Sequence, residues 1–195
     1  MPEIYLASSS PRRRELLGQI KLPHQILTME VDETLPPGIP PAEQVLTLSR
    51  RKALAAAEKL DAGIVIAADT VVALDEIVLG KPRNAAEALD MLERLQGKAH
   101  EVFSGITLLK IPGNRVLSDY ERTEVIMRRA GRAELARYIA TGEPMDKAGA
   151  YGIQGLAAVF VTGIKGCYYN VVGLPVAKLV TMLREFGINV TACWG

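Results

Sequence analysis

Gly63-Ile64-Val65-Ile66-Ala67-Ala68-Asp69-Thr70-Val71-Val72 is apolar almost throughout, and its apolar residues run on instead of alternating. Such a run reads as a strand buried on both faces, which requires a layer on each side of its sheet. One acid, Asp69, breaks it. Upstream, residues 3–7 read as a short strand, and Ser8-Ser9-Ser10-Pro11 then supplies an N-cap and a proline at the first helical position, opening a helix to about Ile20. A Pro-rich loop, Leu35-Pro36-Pro37-Gly38-Ile39-Pro40-Pro41, ends where a helix over 41–60 begins.

Downstream, Ala85, Ala88, Leu89, Leu92 and Leu95 stand at helical spacing and predict an amphipathic helix over 84–95. Strand-like stretches at about 101–111 and 116–128 flank Pro112-Gly113-Asn114, a turn signal whose simplest product is an antiparallel hairpin. A helix at about 132–141, a strand near 157–163 and a helix from about 173 to 186 follow. Helices and strands interleave, so the fold class is α/β, and the hairpin makes the sheet mixed. The 195 residues, 49% hydrophobic, can bury a core and fit a single domain over 1–195 that behaves as one cooperative unit.

Lys and Arg total 23 against 22 Asp and Glu, so the whole-molecule field is weak and excludes general nucleic-acid or membrane binding by charge. Any anion site is therefore local. The only two cysteines, Cys167 and Cys193, form no CxxC pair, which fits a reducing compartment. Met1-Pro2-Glu3-Ile4-Tyr5-Leu6-Ala7 has no basic leader and too short an apolar stretch for a signal peptide, so a cytoplasmic location is expected.

Four places look chemical. Arg12, Arg13 and Arg14 occupy the first turn of a helix, an end whose free N–H groups are already electropositive. Each such charge costs roughly 0.3–1 kcal/mol when exposed, so they are either solvated or offset by a bound anion, with Ser8 and free amides completing a phosphate cradle. Lys52 falls on one arc with Val45, Leu48, Ala53, Ala56 and Leu60, the apolar face of its helix. It either snorkels from the edge of that face or meets a carboxylate or phosphate. Asp69-Thr70 stands inside the apolar strand, and Gly80-Lys81-Pro82 follows a second short apolar run, Ile77-Val78-Leu79. An aspartate there either serves a turn or binds a divalent metal and takes a proton from water, with Lys81 neutralising phosphate. The fourth place, Gly142 to Gly155, is either an ordinary glycine-rich loop or a site in which Asp146, Lys147 and Gln154 meet phosphate, metal and a base edge. Asp32-Glu33 adds two acids for a metal or a solvated turn. The chain has no Walker A loop and no HExxH, and His24 and His100 sit in no nucleophile context.

Taken in order, Ser8-x-Ser10-Pro11-Arg12-Arg13-x-Glu15-Leu16-Leu17, Asp32-Glu33, Lys52-Ala53, Ala68-Asp69-Thr70, Gly80-Lys81-Pro82, Asp146 through Gly155 and Val171-Val172-Gly173-Leu174-Pro175 resemble the Maf family over nearly the whole chain. The resemblance implies an elongated mixed sheet flanked by helices, with two lobes around a central cleft, related to the inosine-triphosphate pyrophosphatases. It implies a homodimer and hydrolysis of a nucleoside triphosphate between its α and β phosphates, with a divalent cation, Mg²⁺ or Mn²⁺, held by Glu33 and Asp69. Asp69 matches the family's general base. Arg12, Glu33, Lys52 and Lys81 match phosphate, metal and catalytic positions, and Arg12, Thr70 and Gln154 match positions of base selectivity. Gln154 resembles the branch acting on dTTP and UTP, where the branch acting on 7-methyl-GTP carries glutamate. Cys167 departs from the pattern, standing where serine is common. The family's association with septum formation leaves a nucleotide-binding regulator as the rival class.

Overall fold

The computed structural model of the protein describes residues 1–113 and 115–194. The chain runs β1 (Ile4–Ala7), α1 (Pro11–Gln19), β2 (Gln25–Ile26), α2 (Pro41–Ala57), β3 (Gly63–Leu74), β4 (Ile77–Leu79), α3 (Ala85–Leu95), β5 (Ala99–Ile111), β6 (Arg115–Met127), α4 (Arg132–Ile139), β7 (Val161–Lys165), α5 (Tyr168–Val172) and α6 (Val176–Glu185). One seven-stranded sheet has the order β2-β1-β3-β5-β6-β7, with β4 also paired to β3. β1 is parallel to β2 and β3, and the other pairings are antiparallel. β3 is buried along its whole length except at half-buried Thr70, as its continuous apolar run requires.

Alternation along β3 sends odd and even residues to opposite faces. On the odd face α2 packs Val45, Ala53 and Ala56 against Val65, Ala67, Val71, Ala73 and Phe103. Its closest approach is at Gly105, where a Cβ would lie 2.4 Å from the Val45 carbonyl oxygen. On the even face there are two cores. α1 and α6 bury Leu16, Leu17, Leu179 and Leu183 on Ile64, Ile66, Ile106 and Leu108. α3 and α4 bury Leu92, Leu95, Leu135 and Ile139 on Val72, Leu74, Val102 and Val125. A polar seam separates them: Thr70, Ser104 and Thr123 from neighbouring strands, and Asn170 from α5. The two lobes expected from the sequence are thus two cores on one shared sheet.

Three expectations need correction. The helix expected over 173–186 is α6 alone, preceded by a separate α5. Gly173 has φ +123°, and Pro175 cannot donate a helical N–H, so Gly173-Leu174-Pro175 breaks the run. The strand near 157–163 begins only at Val161; Leu156–Phe160 is a 3₁₀ turn burying Ala157 and Phe160, one turn apart. The helix over 41–60 ends at Ala57. The hairpin forms as expected between β5 and β6, although Asn114 of its turn lies outside the described residues.

Candidate active site

β3 has one edge covered by β5 from Gly63 to Ala73. Its other edge is shared: β1 pairs with Ile64–Ala67 and β4 with Val72–Leu74. On that second edge residues 68–71 have no strand partner among the described residues, so the sheet edge is open at the place where Asp69 interrupts the apolar run. β1 delivers Ser8 and the start of α1 to one side of this opening, and β4 delivers Gly80 and Lys81 to the other. Because Asp69 faces α2 and Thr70 faces the opposite layer, a ligand at the edge can reach both.

On the α2 side, Lys52 Nζ lies 2.6 Å from Asp69 Oδ1 and 2.7 Å from Glu33 Oε1. The Lys52 and Asp69 side chains are only 15% and 11% exposed, so each needs the other as a charge partner. The helical Cα–Cβ bond points toward the helix N-terminus, which aims the Lys52 stem from two turns beyond Val45 back toward Asp69, the register partner of Gly105. Glu33 stands in the loop before α2, and that loop is pinned from below. Arg51 Nη1 donates to the carbonyls of Asp32 and Thr34, at 2.8 and 2.9 Å, on either side of Glu33. Partial burial works to raise the Glu33 carboxyl, but Lys52, with Lys81 and Arg13 further away, outweighs it and holds the group below its ordinary range. Asp32 turns away, its Oδ1 accepting the Thr34 N–H at 2.8 Å.

The arginines of α1 divide their work. Arg13 points inward, donating from Nε to the Gly173 carbonyl at 2.9 Å, from Nη1 to the Ala68 carbonyl at 2.7 Å, and from Nη2 to Thr70 Oγ1 at 3.0 Å. It thereby binds the open stretch of β3 and closes the turn after α5. Thr70 Oγ1 is also 2.8 Å from Ser104 Oγ, which donates to the Asn170 carbonyl at 3.0 Å. Among the described residues Arg12 meets only Asp146, at 3.4 Å, and Arg14 is exposed. Ser8 Oγ accepts the Ser10 N–H at 3.1 Å, and the Ser10 side chain makes no cap bond, so the expected serine cap is a local turn instead.

Residues 142–155 are not an open loop. Glu143–Asp146 and Ala148–Ala150 are 3₁₀ turns, and the Gly149 N–H donates to the Gly80 carbonyl at 3.0 Å, fixing this segment beside Lys81. Lys147 Nζ is committed to the Glu143 carbonyl and to Asp146 Oδ1, each at 2.6 Å. Partial burial works against the charge on Asp146, but Lys147 and Arg12 prevail and lower its carboxyl. Gln154 is exposed at the corner of a turn closed by Gly155 N–H to Gly152 O at 3.1 Å.

The structure thus links Ser8, Arg12, Arg13, Thr70, Asp146 and Lys147 into one border, and Lys52, Asp69 and Glu33 into a centre. Lys81 lies exposed beside them, and Gln154 has no side-chain partner among the described residues. Sequence reasoning missed Arg51, Ser104 and Glu143. Arg51 stands next to Lys52, and two adjacent cations on one helix were the available signal for it.

The sequence matches the family described as Maf-like protein over residues 3–186. It is 52% identical over 190 residues to a dTTP/UTP pyrophosphatase of Pelotomaculum thermopropionicum, covering 97% of this chain and 100% of the relative. It is also 52% identical over 185 residues to a protein of the same name from Carboxydothermus hydrogenoformans, covering 95% and 99%. A solved HAM1 protein from Coxiella burnetii superposes with a TM-score of 0.53 at 18% identity, covering 95% of this chain and 100% of that one, which supports the fold. With the ordered motifs gathered around one open strand edge and a family match along nearly all its length, the chain belongs to the Maf family.

Proposed function

We propose that the protein hydrolyses dTTP and UTP to the nucleoside monophosphate and pyrophosphate. The observation that carries the chemistry is Lys52, bonded at once to Asp69 and Glu33 beside the open edge of β3. The substrate class is supported by the name dTTP/UTP pyrophosphatase borne by relatives 52% identical. In the reaction a water oxygen bonds to the α-phosphorus, the bond from that phosphorus to the β-bridging oxygen breaks, and the water proton passes to Asp69. Lys52 fixes Asp69 through Oδ1, leaving Oδ2 for the water. Arg12, held by an Asp146 that is 63% exposed, can turn to a phosphate, and Lys81 approaches from the far side of the opening. Gln154 supplies both the donor and the acceptor that O4 and N3–H of thymine or uracil require.

Glu33 and Asp69 fit a divalent cation by donor type. Both are carboxylates beside the opening; Glu33 Oε2 is free of any other partner among the described residues, while Asp69 Oδ2 would serve both the cation and the water it orients. No group of three or more His, Cys, Asp or Glu stands together among those residues, so Mg²⁺ or Mn²⁺ there would need water and triphosphate oxygens to complete its shell. Bound there, the metal would neutralise triphosphate charge. We also place the protein in the cytoplasm as a homodimer, testable by sedimentation, and attribute any arrest of septum formation to the same nucleotide site.

The test is pyrophosphate release from dTTP, UTP, CTP, ATP, GTP and 7-methyl-GTP, with and without Mg²⁺ or Mn²⁺, for the wild type and Asp69→Asn. Turnover should need metal, favour dTTP and UTP, and fall by about 10² or more in the variant. Preference for 7-methyl-GTP would overturn the base assignment, and no turnover by folded protein would leave a binding regulator.

A further inference from the structure

The turn Gly152-Ile153-Gln154-Gly155 is gripped at both ends. At Gly152 an added Cβ would lie 2.6 Å from Lys147 Cε, and at Gly155 it would lie 2.4 Å from Glu143 Oε1. Both glycines are therefore needed for side chains to press directly on the turn's backbone. Glu143 Oε2 accepts the Leu156 N–H at 2.9 Å, just beyond the turn, and Oε1 accepts from Tyr138 Oη at 3.0 Å. Tyr138 is 5% exposed in the core of α3 and α4, so Glu143 ties the turn to a buried anchor. The second grip joins the first, since Lys147 Nζ donates to the Glu143 carbonyl.

We propose that Glu143 is a positioning residue for base selectivity, holding the turn that presents Gln154 to the pyrimidine edge. The proposal rests on the reading of Gln154 given above. A hydrogen-bonding side chain discriminates between bases only if its carbonyl and amino groups are fixed in place, and a displacement of about 1 Å removes that advantage. Glu143 is suited to this because a carboxylate accepts two hydrogen bonds in different directions at once, one from the core and one from the turn. Its hydrogen bonds go to Tyr138, Thr141, Lys147 and Leu156 and not to Lys52, Asp69 or Glu33, so its loss should alter which base is preferred more than how fast the bond is cut.

The experiment compares wild type, Glu143→Ala, Glu143→Gln and Gly155→Ala by turnover of dTTP, UTP and CTP, and by amide hydrogen exchange of the ligand-free proteins. In Glu143→Ala the ratio of kcat/KM for dTTP over CTP should fall about tenfold, through KM for dTTP, with kcat little changed. Exchange at Leu156 should quicken by a similar factor. Glu143→Gln keeps an acceptor for the Leu156 N–H, and its amino group can donate to Tyr138 Oη, a hydroxyl that accepts as well as donates, so it should restore both readings, whereas Gly155→Ala, which displaces the carboxylate from the turn side, should reproduce the loss even if Glu143→Ala fails to fold. Equal loss on all three nucleotides, or faster exchange with an unchanged ratio, would overturn the selectivity role. Unchanged exchange at Leu156 would overturn the clamp. A wild type that favours neither dTTP nor UTP would instead overturn the proposed function and the assignment of Gln154 with it, a result the exchange data separate from failure of the clamp.

Discussion

His100, on β5, is 2% exposed, and among the described residues its only side-chain polar contact is Nε2 to Tyr151 Oη at 2.7 Å, with Nδ1 unpartnered. Burial pushes its pKa down from 6.5 to about 4. The unfolded chain takes up a proton as pH falls through 6.5, while the folded chain declines it until about 4. Stability from this group is therefore complete above pH 6.5 and is lost progressively toward pH 4. Between pH 7 and 5 the loss is about 2 kcal/mol. Glu33 moves in the same direction but lower, its depressed carboxyl giving up stability only in more acidic solution. Urea unfolding of His100→Gln should show a pH 7 to pH 5 decline smaller than that of the wild type by roughly that 2 kcal/mol; equal declines would mean the histidine is hydrated. The residue scale also marks where sequence reading ends. Helical arithmetic put Lys52 on the buried face, but nothing in Arg12-Arg13-Arg14 told which arginine turns inward, because neighbours on a helix diverge by 100° and only the packed layer selects among them. Glu143 was invisible for a related reason: its partners are a side chain and a backbone amide brought together by a 3₁₀ turn with no sequence period of its own.

Among the elements, α2 decides the geometry of the centre, and its seat is Gly105. The atoms an added methyl would strike are the Val45 carbonyl carbon and oxygen, backbone that cannot rotate away. Gly105→Ala should lift the helix, lowering stability by about 1–3 kcal/mol. It should also reduce turnover roughly tenfold or more by drawing Lys52 from Asp69, although Gly105 touches no substrate. Thermal denaturation and kcat measured on the same preparation check this, and full activity in a destabilised protein would detach α2 from the chemistry. Long elements with a clear pattern were legible: the buried strand read over 63–72, the helices over 84–95 and 132–141, and the hairpin. Short apolar stretches were not. Ala157 and Phe160 face the core one 3₁₀ turn apart, a spacing that an apolar run of that length does not distinguish from a strand.

Across the whole molecule, β3, β5 and β6 each pass under both cores, so neither core can lose its floor without disturbing the other's. The single tryptophan, Trp194, donates to the Ile20 carbonyl at 2.8 Å and reports on the α1 and α6 side alone. Urea transitions followed by Trp194 fluorescence and by far-ultraviolet circular dichroism should coincide, as expected of one cooperative domain; separated midpoints would show the lobes unfolding independently. The interrupted edge of β3 bears on a different hazard. A strand edge left open is a template on which other chains can stack, and segments of about six or seven residues suffice for that stacking. Here the free stretch is 68–71, roughly 13 Å of backbone, bounded by β1 and β4 and with its Ala68 carbonyl already taken by Arg13. The opening can admit a small molecule yet is shorter than the segment that stacking requires, so this interruption of the sheet is not itself a template for a foreign strand.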